Sequence, residues 1–222
     1  MNVTQAVLDR HAVRAFKPTA IEAIVVRELI ETAKRAPSGG NLQPWRVYAL
    51  SGDSLARFKA IVALKLAEGI RGEPPEYAVY PPKLWEPLRT RRSEAGTRRY
   101  AALGATRSDE NQRLLEQQNY AFFGAPVGLF FCLDRRVGPP QWADVGMYMQ
   151  TLMLLAVERG LASCPQEVWS NWPITIADFL RLPSDHMVFA GMSLGYEDTE
   201  HAMNGYRTDR ESFDSFAEMI GF

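Results

Sequence analysis

The segment from Trp142 to Gly160 constrains the fold of this chain more than any other. Val145, Met147, Tyr148, Met149, Leu152, Met153, Leu154, Leu155, Ala156 and Val157 leave a helix there with almost no polar face. Such a helix is buried on several sides, at the centre of a domain or against a second copy. Its apolar stretch, Val145 to Val157, falls short of the ~20 residues that cross a bilayer. It therefore needs a core built around it. The 222 residues, 46% of them hydrophobic, suffice for one sizeable core without requiring two domains.

Around that helix the pattern alternates. Thr4 to His11 reads as a short helix. Ile21 to Ala36 reads as a longer one, with Ile21, Val25, Leu29, Thr32, Ala33 and Ala36 on one face and a Thr19–Glu22 capping box. Helices are also expected from Gly52 to about Gly69, from Ser108 to about Phe123, over Pro173–Leu182 and near Phe213–Ile220. Strands are expected at Trp45–Leu50, Val127–Leu133, Leu161–Cys164 and Met187–Leu194. The expected fold is α+β: one domain over residues 1–222, with a mixed, mostly antiparallel sheet flanked by helices.

Residues 71–107 change character. Pro74, Pro75, Pro81, Pro82 and Pro87 oppose regular structure in the first half, and eight Arg or Lys stand against four Glu. Tyr77, Tyr80, Trp85 and Tyr100 argue that this insertion folds back onto the body. It is either a lid over a site or an inert surface excursion.

Composition excludes several functions. A net charge of −1 opposes a chain-wide pull on nucleic acid or anionic lipid. Cys132 and Cys164 sit in apolar runs and read as buried thiols, not as a disulfide or metal pair. His11, His186 and His201 show no metal-ligand spacing, so no metal site is expected. There is no dinucleotide fingerprint after a strand, no phosphate-binding P-loop and no nucleophile elbow. Met1–Gln5 has no apolar signal core, and a cytoplasmic, reducing compartment is expected.

Four constellations remain. Ala36-Pro37-Ser38-Gly39-Gly40-Asn41-Leu42-Gln43-Pro44-Trp45 is a polar loop that suits a planar, anionic ligand. Part of it makes a good helix stop and turn, but the carboxamides of Asn41 and Gln43 exceed what a turn requires. Arg10-His11-Ala12-Val13-Arg14 offers a fork of donors for a phosphate; alone, it also reads as a solvated face. Gly160 to Glu167 follows the apolar helix and ends on Pro165-Gln166-Glu167; locally it is an ordinary connection. Arg207-Thr208-Asp209-Arg210 adds basic groups in the polar tail.

In that order, these motifs resemble the nitroreductase-like flavoenzymes, in particular the nitrobenzoate- and nitroarene-reductase branch. The resemblance runs from about Asn2 to Phe222, interrupted by 71–107. It implies the nitroreductase-like fold, an intertwined homodimer, bound FMN and NADH or NADPH as co-substrate. Arg10, His11 and Arg14 then grip the phosphate and ribityl chain, with Arg14 toward the pyrimidine edge, where it stabilises reduced flavin. Ala12 departs from the usual Ser, which removes one hydroxyl contact worth roughly 1 kcal/mol. Pro37, Ser38, Gly39, Asn41 and Gln43 belong to the loop that approaches the ring from the neighbouring subunit. Pro165, Gln166 and Glu167 line one flavin face. Arg210, or second to it Arg207, closes over the phosphate. The implied activity is reduction of nitroaromatic or quinone-type small aromatic substrates by ping-pong hydride transfer through flavin N5, with no catalytic side chain. The alternatives are another FMN reaction on the same fold, such as reductive dehalogenation or desaturation, and a basic binding module built on 71–107 without flavin.

Overall fold

The structure, a computed structural model, describes residues 1–222. In chain order the elements are α1 (Val3–Asp9), β1 (Phe16–Lys17), α2 (Ala23–Ala33), β2 (Arg46–Ser51), α3 (Gly52–Ala67), α4 (Leu88–Ala102), α5 (Asp109–Tyr120), β3 (Val127–Asp134), α6 (Pro139–Glu158), β4 (Ala162–Gln166), α7 (Pro173–Leu180) and β5 (His186–Glu197). β5 is the spine of the sheet. It pairs antiparallel with β3, with β4 and, at its end, with β1, and β2 adds outside β3. The parallel contribution is a single bridge, Ala12 with Ser163. No helix is long and apolar enough to cross a membrane.

Period-two alternation along β3 builds both halves of the core. Val127, Leu129, Phe131 and Leu133 face α2 and α6, where they meet Leu29, Ala33, Val145 and Leu152. Phe130 and Cys132 face the other way, toward Phe58 of α3, Ile176 of α7, and Trp169 and Trp172. Each large apolar side chain buried this way contributes about 1.5–3 kcal/mol. The apolar helix α6 is central on one side, through Val145, Tyr148, Leu152 and Ala156. Its other side, with Met147, Leu154 and Val157, is only partly covered. Cys132 and Cys164 are free buried thiols, and burial pushes the Cys132 thiol up to about 12.

Several boundaries differ from the sequence reading, for local reasons. α2 starts after Glu22, which is extended, so the Thr19 box does not form and the buried face runs through Val26, Leu29 and Ala33. β4 continues through Pro165 and Gln166, which pair with Met192 and Gly191 of β5; they are strand residues, and only Glu167 opens the following turn. The tail forms a single helical turn at Phe213–Ser215, not a helix to Ile220. Among aromatic rings Phe216 meets only that of Phe213, and Phe216, Ile220 and Phe222 are 71%, 82% and 98% exposed.

Residues 71–107 are irregular through their proline-rich first half and helical (α4) in the second. The segment is fastened to the body. Glu73 Oε2 accepts from Ile174 N at 2.8 Å and Thr175 N at 3.0 Å, the first free N–H groups of α7 after Pro173. Tyr77 packs on Trp142 and Phe189 and donates its hydroxyl proton to the Phe189 carbonyl. Phe189 is the extra residue where β5 shifts register against β3, so its carbonyl stands outside that ladder.

Candidate functional site

α1 ends at Arg10 because its backbone turns out of the helical region (ψ 122°). The chain then runs beside β4: Val13 N donates to Ser163 O at 3.1 Å. That alignment sets Arg14 beside Pro165, Gln166 and Glu167 at a cavity of about 750 Å³. The size suits a flat, cofactor-sized ligand. The rest of the wall comes from α5, from Phe123, Val168 and Asn171, and from the insertion, including Tyr77, Tyr80, Arg92, Arg99 and Tyr100. The insertion thus forms part of the cavity.

The charge around this cavity is left largely uncompensated. Arg10, Arg14, Arg99, Arg207 and Arg210 take part in no ion pair. Burial, and then the positive charge of Arg210, lower the Arg10 pKa. The two ends of the chain therefore bring like charges together. The Cys164 thiol is pushed up by burial, while Arg14, Arg99 and Arg10 pull it the other way, so these three guanidinium groups lie near enough to β4 to act on the same thiol. Guanidinium groups gathered without an ion-pair partner make a site for an anion. Glu167 lines the same cavity, and burial raises its pKa, which favours the neutral acid.

Asn204 joins the two chain ends. Its Oδ1 accepts from Arg14 N at 2.8 Å, and its Nδ2 donates to Ala15 O and Asp198 O at 2.8 and 2.9 Å. Arg207 Nη1 donates back to the Asn204 carbonyl at 2.8 Å. Arg14 Nη1 donates to Ala12 O and to Tyr206 Oη. His11 is engaged at both ring nitrogens, Nδ1 with Asp9 O and Nε2 with Glu197, so it ties α1 to the end of β5. Ala12 forms the parallel bridge to Ser163. Arg210 bonds only its own turn, at Thr208 and Asp209.

Gln166 is buried with a saturated side chain. Ser193 Oγ donates to its Oε1 at 2.7 Å, and its Nε2 donates to Asn119 O and Oδ1 at 2.7 and 2.6 Å. Both ends of its amide are therefore engaged inside the protein.

The polar loop lies elsewhere on the protomer: none of Pro37, Ser38, Gly39, Asn41 and Gln43 lines the cavity. Gly40, Asn41 and Gln43 all have positive φ (56°, 58° and 49°), and for the two carboxamide residues this is strained backbone. Gln43 N donates to Ser38 Oγ at 3.0 Å, and Gln43 Nε2 donates to Asn41 O. The buried Asp144 of α6 accepts from Gly39 N at 3.3 Å and ties the loop to the core. The Asn41 carboxamide makes no hydrogen bond and is exposed, as is Pro37.

The profile of the Nitroreductase family matches residues 7–196. The chain belongs to the nitroreductase family. Among relatives of this nitroreductase-family chain is the 4-nitrobenzoate reductase of Pseudomonas putida, 37% identical over 217 residues that cover 97% of this chain and 94% of that one. Among solved structures, the FMN and NADPH-dependent nitroreductase NfnB from Sphigopyxis sp. strain HMH is 41% identical, with a TM-score of 0.95 and full coverage of both chains. The FMN-dependent nitroreductase NfnB from Mycobacterium smegmatis, solved in complex with NADPH, is 30% identical, with a TM-score of 0.92 over 99% of this chain and all of that one. The nitroreductase fold expected from the sequence is thus the fold observed.

Sequence reasoning missed Asn204, Asp144 and the Gln166–Ser193–Asn119 network, because each acts through contacts distant in sequence. Asn204-Gly205 reads as an ordinary turn. It also did not single out Arg92 and Arg99 within the segment read as a lid or an inert surface excursion; the density of aromatics around them was the available signal.

Proposed function

We propose that this chain is an FMN-dependent oxidoreductase that reduces nitroaromatic substrates with NADH or NADPH. The observation that carries the reading is the uncompensated set of Arg10, Arg14 and Arg210, drawn from both chain ends to one region. That donor set fits a flavin phosphate: Arg10 and Arg210 would hold the dianion, with Ala12 offering its backbone and Arg207 in support. Arg14 stands at the cavity itself and would meet the pyrimidine edge of the ring. Pro165 and Gln166, at the end of β4, and Glu167, in the turn that follows, would line the ring. When bound, FMN supplies hydride acceptance at N5 from NAD(P)H and delivery of electron pairs to a nitroarene or quinone, in ping-pong order.

The reading includes a homodimer in which Pro37, Ser38, Gly39, Asn41 and Gln43 approach the ring from the second copy. Exposed apolar groups support it: Leu8 of α1 is 71% exposed, Leu42 of the loop 62%, and the tail from Phe213 onward carries several more.

The test is anaerobic. FMN-loaded protein is reduced with NADPH or NADH and mixed with 4-nitrobenzoate or with a halophenol. Rapid reoxidation by the nitroarene, with the halophenol inert, is expected. Turnover of the halophenol alone would replace nitroreduction by dehalogenation.

A further inference from the structure

Residues 71–107 do more than line the cavity. α4 is strapped to the tail on either side of Arg210 by two ion pairs, Arg98 with Asp209 and Arg91 with Glu211 (2.5 Å). The strap orients the next residue. Arg99 lies among the cavity-lining side chains, together with Arg14. Its Nε is buried and bonds to nothing, and no carboxylate neutralises it. A desolvated donor left without an acceptor costs about 1–3 kcal/mol, and more for a charged group. The rest of the guanidinium lines the cavity without an ion-pair partner, so a ligand with an anionic or carbonyl edge there would supply the acceptor it lacks.

We propose that Arg99 is a cofactor-holding residue, contributed by the insertion, that closes with Arg14 on the pyrimidine edge of bound FMN. The assignment rests on the flavin reading above. The placement at the ring, not the phosphate, follows from the cavity. Arg14 and Arg99 line it together, whereas Arg10 and Arg210 do not. Glu116, a cavity carboxylate, is already paired with Arg71. The Arg98 and Arg91 ion pairs make the tail a positioning element for Arg99. Flavin binding and the docking of α4 therefore support each other.

The test uses full-length apoprotein titrated with FMN and with riboflavin, followed by flavin fluorescence, for wild type, Arg99→Met and Arg99→Lys. Arg99→Met is expected to weaken both ligands about tenfold, the loss of one charge-assisted bond. In dye equilibration it should move the flavin midpoint potential to a more negative value, because positive charge at this edge favours the reduced anion. Arg99→Lys should restore most of the potential, which a purely structural role would not require. Asp209→Asn combined with Glu211→Gln should weaken flavin binding while leaving Arg99 in the sequence. Wild-type affinity and potential in Arg99→Met overturn the assignment. So does a loss confined to FMN, which would move Arg99 to the phosphate. A raised KM for a carboxylated nitroarene with unchanged flavin affinity would make Arg99 a substrate contact and also refute it. If wild-type apoprotein binds no flavin, the functional reading itself fails, and the two failures are distinct.

Discussion

Arg14 and Gln166 line the same cavity but differ in what they leave unpaired. Arg14 presents charge, since its guanidinium bonds only to neutral oxygens of Ala12 and Tyr206. Arg14→Glu reverses that charge at the edge where electron density would accumulate. The expected outcome is loss of flavin during purification and slower reduction by NADPH, read from FMN content and stopped-flow absorbance; a fully yellow, equally active variant would remove Arg14 from its role. Gln166 presents no free polar atom, because Ser193 and Asn119 consume both ends of its amide. Gln166→Leu leaves the buried Ser193 hydroxyl and the Asn119 groups without partners, so it should lower unfolding stability by about 1–3 kcal/mol. Denaturant melts check this, and an unchanged midpoint would show that the network carries no stability.

At the scale of elements, the insertion stabilises its neighbour. Pro173 opens α7 and has no N–H, so Ile174 and Thr175 present the first free donors, and Glu73 accepts from both. Burial raises the Glu73 pKa, but hydrogen bonds from Thr175 and Lys65 outweigh it, and the net shift is downward from 4.5. A carboxyl with a lowered folded pKa contributes stability that is complete above its unfolded pKa and is lost as pH falls through the folded one. Stability measured from pH about 5 downward should therefore fall less steeply in Glu73→Gln than in wild type; parallel slopes would contradict the cap. This element also shows what the sequence could not reveal. α6, β3, β5 and the Ser108 start of α5 were legible, because apolar periodicity and a capping serine are local signals. α4 was not, because it is rich in Arg with little apolar periodicity and its partners, Asp209 and Glu211, lie in the distant tail. The strand continuation through Pro165 and Gln166 was hidden for a similar reason: a proline weakens a strand reading until β5 is seen to receive it.

At the scale of the whole molecule, the two chain ends converge on one region, and a large apolar surface stays open. Asn204 joins the segment after α1 to the tail, and the tail carries Arg207 and Arg210 back toward Arg10. Beyond that knot, Phe213, Phe216, Met219, Ile220 and Phe222 are exposed. A second copy that covers them would bring in the strained Gly40–Gln43 backbone as well, and would account for the partly covered side of α6. Light scattering of the protein truncated after Arg210 should show a monomer, and its flavin should be held more weakly than in the full chain. A dimeric truncation would free the tail of that role. The central claim is simpler than the assembly: the arginines at the cavity hold a flavin. It is tested most directly by the visible spectrum of the purified protein before and after anaerobic addition of NADPH. The account predicts oxidised-flavin bands at about one FMN per chain, bleached by the reductant. A colourless protein that stays colourless after incubation with excess FMN would contradict it.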